Sequence, residues 1–380
     1  MTMDRLFTLM KEKDASDMFF AVNAPVHLKI NGNLIPINQQ RLDHDNIASL
    51  LSEVLSKEQM DELLRDNELN MGIPVANIGR FRLSAFRQRG SISAVFRFVP
   101  GTIPRLGDLG LPPVLADLIM EKRGLILLVG ATGSGKSTTI ASMLDHRNEL
   151  RSGHILTLED PIEYLFRNKK SIVNQREIGT DTVNLYTALR NSMRQAPDCI
   201  LIGEIRDKET MAAAMAYAQS GHLVLATLHA NNSYNALNRI ISFYPIENRP
   251  ALLQDLSTTI KAIVSQRLVR SINGGPRTPA VEIMVNTRHI SELIEKGEIG
   301  QIKEAMDKSL SPGSQSFEMA LLQLVRDNKV SQDEALANAD SATNLLWMLN
   351  NTSENKPGQV EVKAPEEPAA TSYTEFTLNL

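Results

Sequence analysis

The sequence predicts a two-part α/β protein: an N-terminal α+β module, then an α/β domain on a largely parallel sheet with a C-terminal helical extension. From Leu115 onward, short apolar runs alternate with amphipathic segments, the pattern of strand–helix–strand crossovers. Before residue 100 the pattern is instead one of short strands and helices joined by tight turns. Between the two, Pro100-Gly101-Thr102-Ile103-Pro104 and Gly110-Leu111-Pro112-Pro113 fix φ and disfavour continued helix or sheet, so 101–114 is expected to be a linker.

The elements follow in order. Leu6, Leu9 and Met10 suit one face of an opening helix, and Val26-His27-Leu28-Lys29-Ile30 before Asn31-Gly32 reads as a strand entering a hairpin turn. Residues 80–86 and 93–98 form a second strand pair across a polar, Gly-containing turn. In the second part, strands are expected at 124–129, 154–158, 199–203 and 222–228, and past residue 250 the pattern reads as helical. Ser331-Gln332-Asp333-Glu334 has the S-x-x-E form of a capping box, and Asp340 is expected to cap a last helix running through Trp347. The second domain is thus expected over 115–352. Residues 353–380 are rich in Pro, Glu, Lys, Thr and Ser, bury too little apolar surface to offset the entropy of ordering, and are expected to be a flexible tail. Its end, Tyr373-Thr374-Glu375-Phe376-Thr377-Leu378, reads either as a docking peptide or as an inert terminus.

Composition removes several classes of function. A formal charge of −4 argues against a partner bound by bulk electrostatics, so no nucleic acid is expected. Cys199 is the only cysteine, which rules out an intrachain disulfide and a cysteine-built zinc site and fits a reducing cytosol. No run reaches the ~18 apolar residues of a spanning helix, and the N-terminus lacks the apolar core of a signal peptide. Work at a membrane would therefore need recruitment by a partner.

The run Gly130-Ala131-Thr132-Gly133-Ser134-Gly135-Lys136-Ser137 fits G-x-x-x-x-G-K-[ST] completely, with an apolar strand before it and Thr138 opening a helical segment after it. Glycines let successive N–H groups curl around an anionic phosphate at the positive end of that helix. Lys136 would reach the outer phosphates of a nucleoside triphosphate, and the Ser137 hydroxyl would ligate Mg²⁺.

Three further stretches bear on what such a loop is used for. Asp198-Cys199-Ile200-Leu201-Ile202-Gly203-Glu204 is a buried strand ending in a carboxylate, where Glu204 could orient or deprotonate an attacking water; the competing reading is an ion pair with Arg206. No Asp precedes Glu204 at the strand end, so magnesium would rest on Ser137, phosphate oxygens and water, with Glu204 beyond them. His154-Ile155-Leu156-Thr157-Leu158-Glu159-Asp160-Pro161-Ile162-Glu163 is a second strand ending in carboxylates, either a water-mediated Mg²⁺ site or a solvated acidic turn. Gly221-His222 to Leu228-His229 brackets a third strand with histidines whose odd separation rules out shared ligation of one ion by a regular strand. Thr227 and His229 fall at its C-terminal end, where a γ-phosphate sensor would sit. Arg80, Arg82, Arg87, Arg89 and Arg97 crowd the N-terminal module, either as a solvated sheet face or as a source of cations for a neighbouring nucleotide site.

Taken together, 189–198 leading into Gly203-Glu204-Ile205-Arg206-Asp207, the acidic stretch 159–163 and the histidine stretch 221–229 resemble the signature, aspartate box and histidine box of the type II/IV secretion ATPase family. The resemblance runs from Met1 to about Asn351. It implies a hexameric ATPase with a PAS-like domain over 1–100 and a RecA-like P-loop domain with C-terminal helices over 115–352. It further implies that Lys136 and Ser137 hold ATP phosphates and Mg²⁺, that Glu204 is the catalytic carboxylate, and that Glu163 lies near the metal. His222 and His229 would sense the nucleotide state, and Arg82 and Arg97 would approach the nucleotide. The short N-terminal module and the lack of a tetracysteine element resemble the pilus retraction branch. The stretch Arg288-His289-Ile290-Ser291-Glu292-Leu293-Ile294 departs from the Ala-Ile-Arg helix of the principal retraction motors, and with 334–341 and 344–347 resembles their accessory paralogues.

The implied partners are a related retraction ATPase and an inner-membrane pilus platform protein, with the chain cytoplasmic and recruited to the inner face of the membrane. Three readings stay open: a motor for pilus retraction, an ATP-dependent adaptor of a paralogous motor, and a pilus-assembly or type II secretion ATPase. A small-molecule kinase lacks a recognisable acceptor pocket.

Overall fold

Two sheets organise the chain, and each follows from a different hydrophobic pattern. The computed structural model describes residues 2–351 except 31, 77, 100, 273 and 310. The first sheet contains β1 (Asp17–Phe20), β2 (His27–Ile30), β3 (Asn33–Pro36), β4 (Glu68–Val75), β5 (Gly79–Gln88) and β6 (Ser91–Val99) in the order β3-β2-β1-β6-β5-β4. Every pairing in it is antiparallel. Strict alternation explains its two faces: Phe81, Leu83 and Ala85 are buried, whereas Arg80, Arg82 and Ser84 point the other way. The apolar face is covered by the helix Thr2–Glu12, whose Phe7 stacks on Phe81 at 4.1 Å. The expected first hairpin is present, with Ile30 opposite Asn33 and Gly32 at φ 84°; Asn31 lies outside the described residues.

The second sheet contains β7 (Gly124–Val129), β8 (Gly153–Glu159), β9 (Ser171–Glu177), β10 (Cys199–Ile202), β11 (Leu223–Leu228), β12 (Ile260–Val269) and β13 (Thr278–Val285). Its order is β13-β12-β7-β11-β10-β8-β9, parallel except for the β12–β13 pair. All of β7 is buried, as expected of a strand covered on both faces. Registers Leu158↔Ile202, Ile202↔Ala226 and Ala226↔Leu127 align the strands, so the loops after Val129, Glu159, Ile202 and Leu228 leave from one edge. That edge carries the candidate site.

Several expectations need correction. The region past 250 is not uniformly helical: the helix Arg249–Thr259 runs straight into β12, which is buried along most of its length and lacks the alternation that would have marked it as a strand. β9 was missed because it is a polar edge strand. The stretch expected as a linker contributes a 3-10 turn, Leu106–Leu109, and Leu106 packs with Leu115, Ile126 and Ile140. Asp340 does not cap the last helix, Ala342–Asn351; the Ser341 hydroxyl accepts from Asn344 N–H at 3.3 Å instead. The Asp340 carboxylate is taken by Arg267 of β12 and by Asn232 Nδ2. Ser331 does accept from Glu334 N–H, but the Glu334 carboxylate accepts from Arg270 N–H rather than closing the box.

The helices Phe317–Arg326, Gln332–Asn338 and Ala342–Asn351 enclose a satellite core around Phe317, Leu321 and Leu345. The tail expected at 353–380 lies outside the described residues. Among those residues no helix is long and apolar enough to cross a membrane.

Candidate functional site

The phosphate loop spans the turn from β7 into the helix Lys136–Leu150, and its glycines are required by what surrounds them. Gly130, at φ 148°, would bring a Cβ to 2.6 Å from the Gln266 carbonyl, and Gly135, at φ 89°, would bring one to 2.7 Å from Gln266 Nε2. Gln266 of β12 therefore forms the wall of the loop, and its Oε1 accepts from Thr139 Oγ1 at 2.7 Å. No sequence motif marks this residue; its role depends on β12 lying beside β7. Gly133, at φ 78°, faces open space.

Lys136 folds back over the loop, its Nζ donating to the Gly130 and Ala131 carbonyls at 2.8 and 3.0 Å. Burial pulls the ammonium below the usual lysine range, and the Glu204 and Glu163 carboxylates act against that pull. Both acids thus lie close enough to the lysine to act on its charge. Ser134 Oγ is buried without a hydrogen-bond partner, while Thr132 is exposed and Ser137 and Thr138 are partly exposed at the helix start. A left-handed, glycine-lined loop with a half-buried cation and an orphaned hydroxyl fits a polyanionic phosphate group. Thr138 Oγ1 lies 2.8 Å from the hydroxyl of Tyr164, which ties the loop to the acidic stretch.

Glu204 follows β10 after Gly203, whose N–H donates to the Leu158 carbonyl at 2.8 Å. Its carboxylate meets Arg206 Nε at 2.7 Å and His229 Nε2 at 3.2 Å, and Arg206 also approaches Asp160 at 3.8 Å. The ion pair with Arg206 and the position beside the phosphate loop therefore coexist. Three sequence boxes converge here: the acid after β10, the histidine after β11 and the carboxylate after β8. Glu159 turns inward, accepting from Thr157 Oγ1 and Gln175 Nε2, and burial holds its carboxyl above the usual range. Glu163 is exposed. Among the described residues no group of three or more His, Cys, Asp or Glu is arranged to hold a metal ion by itself. Ser137 lies partly exposed at the helix start beside the loop.

His222 is not brought to this edge. It precedes β11 while His229 follows it, and seven residues at a strand's rise separate them by about 20 Å. Its Nδ1 lies 3.1 Å from the Tyr217 carbonyl and its ring stands edge-on to Tyr217. Arg97 and Arg82 are cross-strand neighbours, and Arg97 Nε pairs with Asp17 at 2.7 Å. No described hydrogen bond or ion pair of either arginine reaches the phosphate loop. Both share a sheet face with Arg80, which does cross to the second sheet by pairing with Glu177. Cys199 is buried, and burial pushes its thiol up to about 12, which removes it as a nucleophile.

Comparison with known proteins places the chain among its relatives. A family model described as "Type II/IV secretion system protein" matches residues 2–306. The type IV pilus ATPase PilU of Pseudomonas aeruginosa is 43% identical over 93% of this chain and 93% of its own length. The type IV pilus retraction ATPase PilT of the same organism is 36% identical over 88% of this chain and 97% of its own. A crystal structure of the pilus retraction motor PilT with bound ADP superposes with a TM-score of 0.84 at 37% identity, covering 90% of this chain and 99% of that one. With a P-loop, an acid and a histidine gathered at one sheet edge and relatives matched over nearly their whole length, the chain belongs to the type II/IV secretion system protein family.

Proposed function

We propose that this chain is an ATP-hydrolysing motor subunit that works as a homohexamer to retract and disassemble type IV pili. The observation that carries the reading is the pairing of Glu204 with His229 at the edge where Lys136 sits, because a phosphate loop alone serves binding and a carboxylate beside it serves turnover. Mg²⁺-ATP, when bound, supplies the phosphoanhydride whose hydrolysis drives the cycle. Lys136, Ser137 and Thr138, with the backbone from Gly130 to Gly135, would hold its phosphates and metal. Glu204, freed from Arg206, would accept the proton of the attacking water while His229 holds its other oxygen, and Glu163 would add negative charge to help hold Mg²⁺. Arg82 and Arg97 supply cations from the N-terminal sheet of this or a neighbouring subunit.

We read residues 1–100 as a PAS-like domain, 101–114 as the connection and 115–352 as a RecA-like domain. The ring would lie in the cytoplasm against an inner-membrane pilus platform protein, beside a related retraction ATPase. ATP turnover and pilus retraction measured for wild type and Glu204→Ala test the reading. Loss of both is expected. Retraction at wild-type force by a hydrolysis-dead variant would replace the motor with an ATP-dependent adaptor of the related motor.

A further inference from the structure

We infer that Arg80 is a positioning residue for the acidic turn of the nucleotide site, linking the seating of the N-terminal sheet to the conformation of residues 159–164. The inference rests on that turn bordering the nucleotide, as proposed above, and adds a control point outside the phosphate loop. Arg80 lies on the polar face of β5, and its guanidinium leaves its own sheet to meet Glu177 Oε2 at 2.5 Å. The pair is shielded, with side chains 15% and 3% exposed, so solvent screens it little.

The route of the guanidinium depends on a bare backbone. Gly72 of β4 lies diagonally across from Arg80, and a Cβ built there would stand 2.1 Å from Arg80 Nη2 and 2.6 Å from its Cζ. A side chain at 72 cannot coexist with the arginine in this pose. The glycine is therefore explained by the arginine crossing over it.

On the other side, Glu177 ends β9 next to Glu159 at the end of β8. The oxygen that receives Arg80 also accepts the buried N–H of Ile162 at 3.1 Å, while Oε1 accepts from Thr180 Oγ1 at 3.3 Å. One atom thus serves both the N-terminal sheet and the backbone of the acidic turn. Glu163 follows Ile162 directly, and Tyr164, one residue further, holds Thr138 of the phosphate loop helix. Withdrawing Arg80 leaves a buried carboxylate without its cation, and the carboxylate must turn or take up water, which releases Ile162 N–H. Rotation of the N-terminal sheet away from the second sheet breaks the same bond.

The test is amide exchange over 162–164 in the nucleotide-free full-length protein, with KM and kcat for ATP measured alongside. Arg80→Ala and Gly72→Ala are each expected to speed exchange there about tenfold and to raise the KM for ATP more than they lower kcat. Because the three atoms nearest a Cβ at 72 all belong to the Arg80 guanidinium, the double variant should match Arg80→Ala alone, and Arg80→Lys should recover part of the loss. Unchanged exchange at 162–164 in both single variants, or a double variant showing the two effects summed, overturns the inference. Should Arg80→Ala loosen β4–β6 themselves, Glu177→Gln carries the test from the other side. It keeps shape and an acceptor for Ile162 while removing the buried charge, so combined with Arg80→Ala it should bring exchange at 162–164 back toward wild type, and exchange as fast as in Arg80→Ala alone sinks the inference. A wild type that turned over no ATP would remove the proposed function, while the exchange measurement would still decide this point.

Discussion

The two ends of the parallel sheet are built from similar residues and put them to opposite uses. Where β7, β8, β10 and β11 stop, Lys136, Glu204, Arg206 and His229 meet across loops, and Arg206 and His229 stay open to solvent at 63% and 46%. Where those strands start, comparable groups are committed to backbone. Asp198 Oδ2 accepts His154 N–H at 2.8 Å, Arg147 donates to the Ile119 and Glu121 carbonyls, and His222 lies against the Tyr217 carbonyl. Strand direction, not residue type, decides which histidine and which acid can take part in chemistry, because loops leaving the carboxyl edge lie beside the helix N-terminus that attracts phosphate.

The largest expected effect is at Lys136. Replacing it with Ala should lower kcat/KM for ATP by about 10²–10³-fold, since a half-buried cation facing developing phosphate charge has no substitute; turnover within a few-fold of wild type would show that the carboxyl edge is not the working end. Glu204→Gln should lower kcat by about 10²–10³-fold with nucleotide affinity retained, measured by steady-state hydrolysis and ADP titration. The sharper contrast pairs the histidines: His229→Ala should cost about tenfold in kcat and His222→Ala less than about twofold. Equal losses would break the comparison between the two ends.

Stability gives two smaller tests. Glu282 of β13 lies buried under the start of the helix Ser233–Ser242, accepting from Ser233 N–H at 2.7 Å and from Ser265 Oγ at 3.2 Å. Burial raises its carboxyl from 4.5 to about 7. A carboxyl whose folded value exceeds its unfolded one binds more protons when folded, so its contribution is full below about pH 4.5 and is lost as pH rises through about 7. The whole swing is about 3 kcal/mol at most. Glu282→Gln should flatten the fall in Tm between pH 5 and 8; an unchanged pH profile would refute the assignment. At the other end, Asp198→Ala removes the acceptor of His154 N–H and should cost about 1–2 kcal/mol in urea unfolding, with kcat unmoved. A drop in kcat without loss of stability would again merge the two ends.

These contrasts also show what was legible in the sequence. The phosphate loop could be read because its glycines, lysine and serine are fixed by the backbone shape they make, and Glu204 because an apolar strand ending in an acid keeps its meaning in isolation. The pairing of Glu204 with both Arg206 and His229 was half visible, since Arg206 is two residues away but His229 arrives from another strand. Gln266 and Tyr164 act only across elements distant in sequence, so no local pattern announces them, and Arg80 stands out in sequence only as one of a crowd of arginines whose partner Glu177 lies far along the chain. Asp340 has the neighbours of a helix cap in sequence, but Arg267 and Asn232, both more than 70 residues away, outcompete the local N–H. Strand β12 lacks a local signal because burial along most of its length removes the alternation by which strands are recognised.

That same strand has a further consequence. Gln266 and Arg267 are adjacent in β12 and so face opposite sides of it. Gln266 presses on Gly130 and Gly135, while Arg267 lies 3.9 Å over the ring of Phe317 and grips Asp340. A single peptide unit thus joins the wall of the phosphate loop to the side chain that holds the terminal helices. The terminal helices and the phosphate loop are therefore one strand's thickness apart, braced from the two faces of β12.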